Sequence, residues 1–407
     1  MANRGISWDP LVHSIQDLKE EGSKRLPKMY RGKYTYTNER VFNAGTADYY
    51  NEGAMDLITL RENEEAFNYF KIQPRILVNV DNVDISGEIF GFKTALPLAI
   101  GPAAMHKLAH PDGELATSRA AANIGVCMGL SSYATESIEN VAAVGKGNPY
   151  VMQLSVLKDR NTTLQMLQRA EGHPTHTKEW TIACGYKAVF LTSDVPMLGR
   201  RLNEYRNSFI LPDDMSWPNL LSDGKSELNG SATRGASGEE VLRRLNHDYD
   251  ASLDWATAIP WLRKHTKLQI WVKGIYSVDD MQAATEYGVD GVLISNHGGR
   301  QLDGVPATID VLRQCAPVAA GAIPIALDGG IRRGTDIFKA LALGASHCFV
   351  GRIPIWGLAY NGQEGIELAF KILMHEFKVA MALAGTVSDI TRDRISYKKS
   401  DGTLARL

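Results

Sequence analysis

The segment "SNHGGRQLDG" (295–304) places a histidine and an arginine three residues apart, directly after the apolar run "VDGVLI". Histidine titrates near neutral pH, so His297 is a candidate general base. Arg300 supplies a guanidinium that can bind a carboxylate through two parallel hydrogen bonds. Glycines beside them would let a small molecule approach the backbone closely. The segment therefore predicts a ligand-binding or catalytic site, and the alternative is a turn that carries His297 and Arg300 without a function.

A second segment, "LTSDVPMLGRR" (191–201), supplies the groups that such a site would need. Asp194 can orient His297 and stabilise its protonated form. Arg200 and Arg201 add positive charge, as Arg300 does. Because these arginines have no acidic neighbour in the adjacent sequence, we expect them to bind the carboxylate of a ligand.

Lys273 ends the apolar run "LQIWVK". A lysine at the end of a buried strand is costly unless a negative group meets it. A structural salt bridge would meet that need. So would a cofactor atom that becomes negative on reduction.

Two further segments predict a phosphate site. "DGGIRRGTD" (328–336) has a glycine turn before a helix, and "VGR" (350–352) ends the next apolar run. Backbone N–H groups at a helix N-terminus bind phosphate, and Arg332 and Arg352 could pair with the same group. The alternative is a glycine turn beside solvated arginines.

Eight short, continuous apolar runs carry these polar ends: 96–103, 126–132, 150–155, 188–194, 268–274, 291–299, 323–330 and 347–352. Continuous apolarity is typical of strands that are covered on both faces. Amphipathic segments fill most intervals, for example "SVDDMQAATEYG". Eight such units predict a (β/α)8 barrel, whose active site lies at the carboxyl ends of the strands. A doubly wound open sheet is the alternative, but the sequence shows no switch point for one.

We expect one domain, 1–407, in three parts. Residues 1–90 would form a helical cap across the N-terminal mouth, 91–360 the barrel, and 361–407 a C-terminal helix and tail. The polar stretch 213–255 reads as a long mobile loop after the fourth strand.

Composition narrows the functional class. The 407 residues carry a net charge of −2, which gives no general attraction for nucleic acid or an anionic membrane. No apolar stretch is long enough to span a membrane, and no metal-binding motif is present. The four cysteines are far apart, which favours reduced thiols in an intracellular protein. The ending Ala405-Arg406-Leu407 resembles a peroxisomal signal, so we predict the peroxisome, with the cytoplasm as the alternative.

"SNHGGRQLDG" resembles the signature of the FMN-dependent L-2-hydroxy acid oxidases and dehydrogenases, such as glycolate oxidase and lactate oxidase. The resemblance extends from "ADYYNEGAMD" (47–56) to "MALAGTVSDI" (381–390) and includes "LTSDVPMLGRR", "ALDGGIRRGTDIFKALALGA" and "VGR". It implies an FMN-binding (β/α)8 barrel that oxidises an (S)-2-hydroxy acid to a 2-oxo acid.

The resemblance also implies roles for individual residues. His297 would be the base with Asp194 as its partner, Arg201 and Arg300 would hold the substrate carboxylate, and Tyr49 would hydrogen-bond the substrate. Lys273 would lie beside flavin N1 and O2 and favour the reduced flavin. The remaining flavin contacts would be Pro102, Ala103, Ala104, Ser131, Gln153, Thr192 and Ser295 at the ring and ribityl chain, with Asp328, Gly329, Gly330, Arg332, Gly351 and Arg352 at the ribityl chain and phosphate.

Two positions depart from that pattern. Ser155, in "QLS", stands where the family usually has a tyrosine that helps hold the substrate, and Tyr133 stands where glycolate oxidase has a tryptophan. Both would line the substrate pocket, so the sequence indicates the chemistry without the substrate.

The resemblance leaves the electron acceptor and the assembly as expectations. Because no haem-binding domain precedes the barrel, we expect O2 as the acceptor, giving hydrogen peroxide. The alternatives are a dehydrogenase with another acceptor and a non-catalytic FMN-binding protein. A homotetramer is expected from the resemblance alone.

Overall fold

A closed parallel barrel forms the centre of the molecule. The computed structural model describes residues 7–26, 49–172, 184–206, 211–212, 214–220 and 248–406. Its strands are β1 (Phe70–Ile72), β2 (Gly87–Ile89), β3 (Phe92–Thr94), β4 (Leu98–Ile100), β5 (Met128–Leu130), β6 (Tyr150–Leu154), β7 (Ala188–Thr192), β8 (Gln269–Ile275), β9 (Gly291–Ile294), β10 (Ile325–Leu327), β11 (His347–Val350), β12 (Ile395–Lys398) and β13 (Leu404–Arg406). Strands β4 to β11 pair in parallel, and β11 closes the ring on β4. The predicted (β/α)8 barrel is therefore confirmed, and an open sheet is excluded.

Each of the eight predicted apolar runs contains one barrel strand. Nearly every residue of these strands is buried, because side chains on one face fill the barrel and those on the other face meet the helices. This two-sided burial explains why the runs are continuous instead of alternating.

Helices surround the barrel and follow most of its strands. They are α1 (Ile15–Arg25), α2 (Ile58–Glu65), α3 (Gly113–Ile124), α4 (Ile138–Val144), α5 (Arg160–Glu171), α6 (Leu202–Arg206), α7 (Trp255–His265), α8 (Val278–Glu286), α9 (Thr308–Ala319), α10 (Gly334–Ala342) and α11 (Arg352–Leu383). Helix α11 is interrupted by non-helical backbone at Asn361 and Gly362. In the described ranges, no helix is both long and apolar enough to cross a membrane.

The β2–β3 hairpin closes the N-terminal end of the barrel, and the helical cap expected of residues 1–90 stays a prediction, since 27–48 lie outside the described residues. Ile89 and Phe90 pack into the barrel interior with Phe190 and Trp271, and the rings of Phe90 and Trp271 meet edge to face at 5.1 Å. Ile89, the last residue of β2, and Phe90, in the turn that follows, thus fill this end of the barrel. Helix α2 lies instead at the opposite, C-terminal end.

The chain termini pack on the outside of the barrel. Helix α1 packs against α11, and β1, β12 and β13 form a small antiparallel sheet. Ala405 and Arg406 belong to β13, where Ala405 is opposite Tyr397, and Leu407 lies outside the described residues. Of the predicted loop at 213–255, the structure describes 214–220 and 248–255.

Candidate active site

One large cavity opens at the carboxyl ends of the barrel strands and encloses about 1680 Å³, including its mouth. All eight barrel strands or the loops after them contribute to its wall. The predicted site residues that line it are Tyr49, Pro102, Ala103, Ala104, Ser131, Tyr133, Gln153, Ser155, Thr192, Arg201, Lys273, His297, Arg300, Asp328, Gly329, Gly330, Arg332, Gly351 and Arg352. The other two, Asp194 and Ser295, contact residues of that wall.

His297 and Asp194 meet across two loops. The imidazole Nδ1 of His297 lies 3.2 Å from both carboxylate oxygens of Asp194, which leaves Nε2 available to the cavity. His297 has a positive φ of 56°, an uncommon conformation for a residue with a side chain and one that clusters at functional sites. Gly274, with φ of 110°, makes room for the aspartate, since a Cβ there would lie 2.8 Å from the Asp194 Cβ.

The surroundings keep this histidine neutral and its partner charged. Burial lowers the pKa of His297 to about 4, and the charge of Lys273 acts in the same direction, while Asp194 opposes both. Burial favours the neutral form of Asp194, yet Lys273 and His297 together hold the pKa of its carboxyl below the usual value. At neutral pH the pair is therefore an imidazole beside a carboxylate, the state that a general base requires.

Lys273 is anchored in the wall by Ser295. Its Nζ donates to the Ser295 hydroxyl at 3.0 Å and lies 4.0 Å from a carboxylate oxygen of Asp194. The side chain is almost fully buried. Lys273 thus has a structural salt-bridge partner, as one of the two sequence-based readings proposed, and it also faces the cavity.

Glu204 pairs with Arg201 and Arg300, two of the three arginines that we expected to bind a ligand carboxylate. Its Oε1 accepts from Arg201 at 3.2 Å and from Arg300 at 3.1 Å; the side chains of Arg201 and Glu204 are buried, and that of Arg300 is mostly so. The expectation that these arginines lack an acidic neighbour is therefore wrong. Arg201 and Glu204 are three residues apart at the start of α6, a spacing that places their side chains on one side of a helix.

Gln301, which sequence reasoning left without a role, joins the two loops that carry these groups. Its amide nitrogen donates to the backbone oxygens of Asp194 and Met197 at 3.0 and 3.1 Å. Its amide oxygen accepts from the N–H of Gly199 and from Arg201. Gly199 must be a glycine here, because a Cβ would come within 2.4 Å of the Arg300 carbonyl oxygen.

A chain of polar side chains crosses the ends of β5, β6 and β7. The Gln153 amide oxygen accepts from the hydroxyls of Ser131 and Ser132 at 3.3 Å, and its nitrogen donates to the Thr192 hydroxyl at 2.9 Å. These bonds fix the amide in one orientation at the cavity wall, and three neighbouring strands thereby present hydrogen-bonding groups in register.

The residues at the other end of the cavity fit a phosphate and a polyol chain. The Oδ1 of Asp328 and the Nε of Arg332 are buried without a hydrogen-bond partner among the described residues. Burial, together with Arg300 and Arg332, lowers the pKa of Arg352 to about 9, which marks positive charge without full compensation. A Cβ added at Gly351 would meet open space. An anion with hydroxyl groups, such as the ribityl phosphate of FMN, would satisfy these atoms.

Other contacts of the same residues are structural. Arg332 pairs with Glu64 at 2.8 Å, and Arg352 donates to the backbone oxygens of Tyr50, Glu52 and Gly298. A Cβ at Gly330 would collide with the Asn63 carbonyl oxygen at 1.8 Å. The arginines thus also hold residues 50–64 at the mouth of the cavity, and Gly330 is needed for the close packing of Asn63.

Two residues of the segment 295–304 hold helix α2 at the mouth of the cavity. The carboxylate of Asp303 accepts from the backbone N–H groups of Asp56, Ile58 and Thr59, which lie at the N-terminus of the helix. Asn296 exchanges two side-chain hydrogen bonds with Asn63. Sequence reasoning assigned neither residue, although the quoted segment contains both.

The cavity wall also contains side chains that sequence reasoning missed. They include Val195, Leu198, Glu204, Leu211, Trp217 and Tyr249 from the chain between β7 and α7, and Tyr50 and Met105 from other segments. The segment that contributes most of these has no apolar periodicity, and the spacing of Glu204 from Arg201 was the one signal in it that indicated a residue of the cavity.

Comparison with known proteins agrees with this site. The sequence model of the FMN-dependent dehydrogenases matches residues 38–397. Oxidase FUB9 of Fusarium oxysporum f. sp. lycopersici is 46% identical over 402 residues, covering 98% of this chain and 95% of that protein. Glycolate oxidase 1 of Oryza sativa subsp. indica is 44% identical over 392 residues, covering 96% and 97%.

A solved structure agrees as well. The crystal structure of mandelate oxidase with (S)-4-hydroxymandelic acid superposes with a TM-score of 0.79 at 33% sequence identity, covering 93% of this chain and 96% of that one. The barrel, the flavin-compatible cavity and these matches lead to one conclusion. The chain belongs to the FMN-dependent dehydrogenase family, as an FMN-dependent oxidoreductase of the 2-hydroxy acid oxidase type.

Proposed function

We propose that this protein oxidises an (S)-2-hydroxy acid to the 2-oxo acid and uses O2 as the acceptor, which yields hydrogen peroxide. The observation that carries the proposal is the His297–Asp194 pair beside Arg201 and Arg300 in one cavity. A base next to a carboxylate-binding cluster is the arrangement that this oxidation requires. The substrate loses two electrons and two protons, and O2 gains these two electrons and two protons to form hydrogen peroxide.

FMN, when bound, accepts the two electrons from the substrate and passes them to the acceptor. Asp328, Arg332, Gly351 and Arg352 would hold its ribityl chain and phosphate. Gln153, Thr192 and Lys273, with the backbone of 102–104, would face its ring, where the buried charge of Lys273 favours a negative group. The orphaned polar atoms of Asp328 and Arg332 support this placement.

His297 takes a proton from the substrate head group. Its imidazole is neutral at physiological pH because its pKa lies near 4, and Asp194 fixes the ring through Nδ1 so that Nε2 can accept. The carboxylate of Asp194 then stabilises the imidazolium that forms. The proton therefore moves to a group whose orientation and charge are already set.

Arg201 and Arg300 bind the substrate carboxylate, and Tyr49 assists. The Arg300 guanidinium lies 4.9 Å above the Tyr49 ring, so the arginine is held in a fixed orientation. Both guanidiniums also contact Glu204, whose charge offsets part of the repulsion between them. The substrate must therefore take guanidinium donors that Glu204 does not use.

An apolar side chain suits the outer part of the cavity. Tyr133 and Trp217 meet edge to face at 5.8 Å, and Leu211, Val195 and Leu198 line the same wall. Ser155 adds little volume there. We propose a substrate with an apolar side chain larger than that of glycolate, because such a group would be desolvated against these residues.

Anaerobic bleaching of the bound flavin tests the proposal. Glycolate, lactate, mandelate and a long-chain 2-hydroxy acid are added in turn, and we expect the fastest bleaching with an apolar side chain. Admitting air should restore the oxidised spectrum within the turnover time and release peroxide. Slow reoxidation would indicate a dehydrogenase with another acceptor. No bleaching with any (S)-2-hydroxy acid would refute the proposed function.

Location and assembly remain predictions. A peroxisomal location rests on Ala405-Arg406-Leu407, and Ala405 and Arg406 pair with β12 in the folded chain, so a receptor could bind this tail only after β13 detaches. The homotetramer rests on the resemblance. Size-exclusion chromatography with light scattering measures the assembly directly.

A further inference from the structure

We propose that Tyr249, from the chain just before α7, donates a hydrogen bond to the substrate carboxylate beside Arg201. The inference rests on the proposed function and adds a substrate-binding residue to it. Tyr249 is far along the chain from every strand end, yet its ring lines the cavity together with Ser155, Tyr133 and Arg201.

The backbone around Tyr249 is fixed to the loop after β6. Tyr249 forms an antiparallel bridge with Leu157, two residues after Ser155, and the N–H of Lys158 donates to the Asp248 carbonyl oxygen at 2.9 Å. Asp250 pairs with Arg160 at the start of α5. These contacts bring the tyrosine alongside Ser155, whose short side chain leaves room for a ring.

Tyr249 lines the same cavity as Arg201 and Tyr49, the two groups proposed to meet the carboxylate. Burial raises the pKa of this phenol to about 12, while its hydrogen bond with Tyr133 and the positive charge of Arg201 act against the rise and Tyr49 acts with it. The hydroxyl therefore keeps its proton at physiological pH and can donate a hydrogen bond to an anion.

A second tyrosine faces the same space. Tyr133 has its ring centre 6.5 Å from that of Tyr249. Burial raises the pKa of Tyr133 well above its usual value, and the contact of its hydroxyl with that of Tyr249 acts in the same direction. Tyr133 is therefore the donor in this contact, which leaves the Tyr249 proton available to a ligand. Of the two phenols, Tyr249 keeps an available donor and lines the cavity with Arg201, and for this reason we assign the carboxylate contact to it.

The test is Tyr249→Phe, which removes only the hydroxyl. A hydrogen bond to a charged group contributes roughly 1.5–3 kcal/mol, so kcat/KM should fall by about 10- to 100-fold. The Kd of the 2-oxo acid product, followed by its perturbation of the flavin spectrum, should rise by a similar factor. Because the carboxylate is common to all substrates, the factor should be the same for 2-hydroxy acids with different side chains.

The matched control is Tyr186→Phe. Tyr186 is also buried, its hydroxyl donates to the Ile138 carbonyl oxygen at 3.3 Å, and it does not line the cavity. We expect this control to leave kcat/KM and product binding unchanged. If the wild-type protein is active and Tyr249→Phe has the same kcat/KM and product Kd, the inference is overturned and the proposed function stands. A loss that varies with the substrate side chain would also overturn the inference. Wild-type protein that never bleaches would overturn the proposed function instead.

Discussion

The substitution Asp194→Asn removes the charge that orients and stabilises His297 and keeps the shape of the side chain. In the native protein the His297 Nδ1 lies 3.2 Å from both oxygens of a buried carboxylate. Asparagine can offer its amide N–H to Nδ1, which would put the imidazole proton on Nε2, the nitrogen that should accept one. Asp194 does not line the cavity, so FMN binding should persist.

The expected loss follows from that contact. A charge-assisted hydrogen bond contributes about 1.5–3 kcal/mol, which corresponds to roughly 10- to 100-fold in rate. The wrong tautomer adds to this, and in the Ser-His-Asp triad the same exchange lowers kcat by about 10⁴. We therefore expect the rate of flavin reduction to fall by about 10² to 10⁴. The pKa that governs the acid limb of the pH–rate profile should not rise in Asp194→Asn. The charge of Asp194 raises the pKa of His297 in the native protein, and the substitution removes that charge.

Stopped-flow anaerobic bleaching at saturating substrate measures this rate without involving the acceptor. Asp290→Asn is the matched control, because Asp290 precedes β9 at the opposite end of the barrel and pairs with Arg263 at 2.7 Å. We expect that control to reduce its flavin at the native rate. A decrease of less than threefold in Asp194→Asn, with FMN still bound, would refute the assignment of His297 and Asp194 as base and partner.

Three further predictions follow from the same contacts. Glu204→Gln should lower the Tm, because breaking a buried ion pair costs about 3–5 kcal/mol. Added 2-oxo acid should raise the Tm of this variant more than that of the native protein. An equal rise in the two proteins would contradict the proposal that Arg201 and Arg300 are shared between Glu204 and the substrate carboxylate. In brief pH-jump assays, kcat/KM should be lost as the pH falls through about 4, since His297 is a base only while neutral, and an acid limb near pH 6.5 would argue against the buried environment. An N-terminally tagged chain without Leu407 should leave the peroxisome, as seen by fluorescence microscopy, whereas an unchanged distribution would reject Ala405-Arg406-Leu407 as the signal.

The barrel was predictable because its strands are buried on both faces. That burial produces eight continuous apolar runs, and the parallel arrangement brings their carboxyl ends to one face of the molecule. Polar residues at those ends, such as Gln153, Lys273 and His297, had to converge there. The positions of these residues at the strand ends were therefore enough to predict that they lie in one site.

The features that were missed depend on contacts between distant segments. Ile89 and Phe90 close the N-terminal end of the barrel because the β2–β3 hairpin folds back across it, and no local sequence pattern indicates this role. Glu204 was overlooked although its i,i+3 spacing from Arg201 was visible, and its second partner, Arg300, is 96 residues away. Tyr249 reaches the cavity only because its backbone pairs with Leu157.

The segment 295–304 serves the scaffold at least as much as the chemistry. Asn296 and Asp303 hold helix α2, and Gln301 joins the loop after β7 to the loop after β9, while His297 and Arg300 face the cavity. Residues with such different partners must all be kept if the site is to keep its geometry. The wall proposed to meet the substrate side chain includes Tyr133, Leu211 and Trp217, and none of these three makes one of the scaffold contacts just described. Substitutions at Leu211 or Trp217 can therefore change the substrate preference while the base, the arginine pair and the flavin site are kept, which is why the segment 295–304 indicates the reaction but not the substrate.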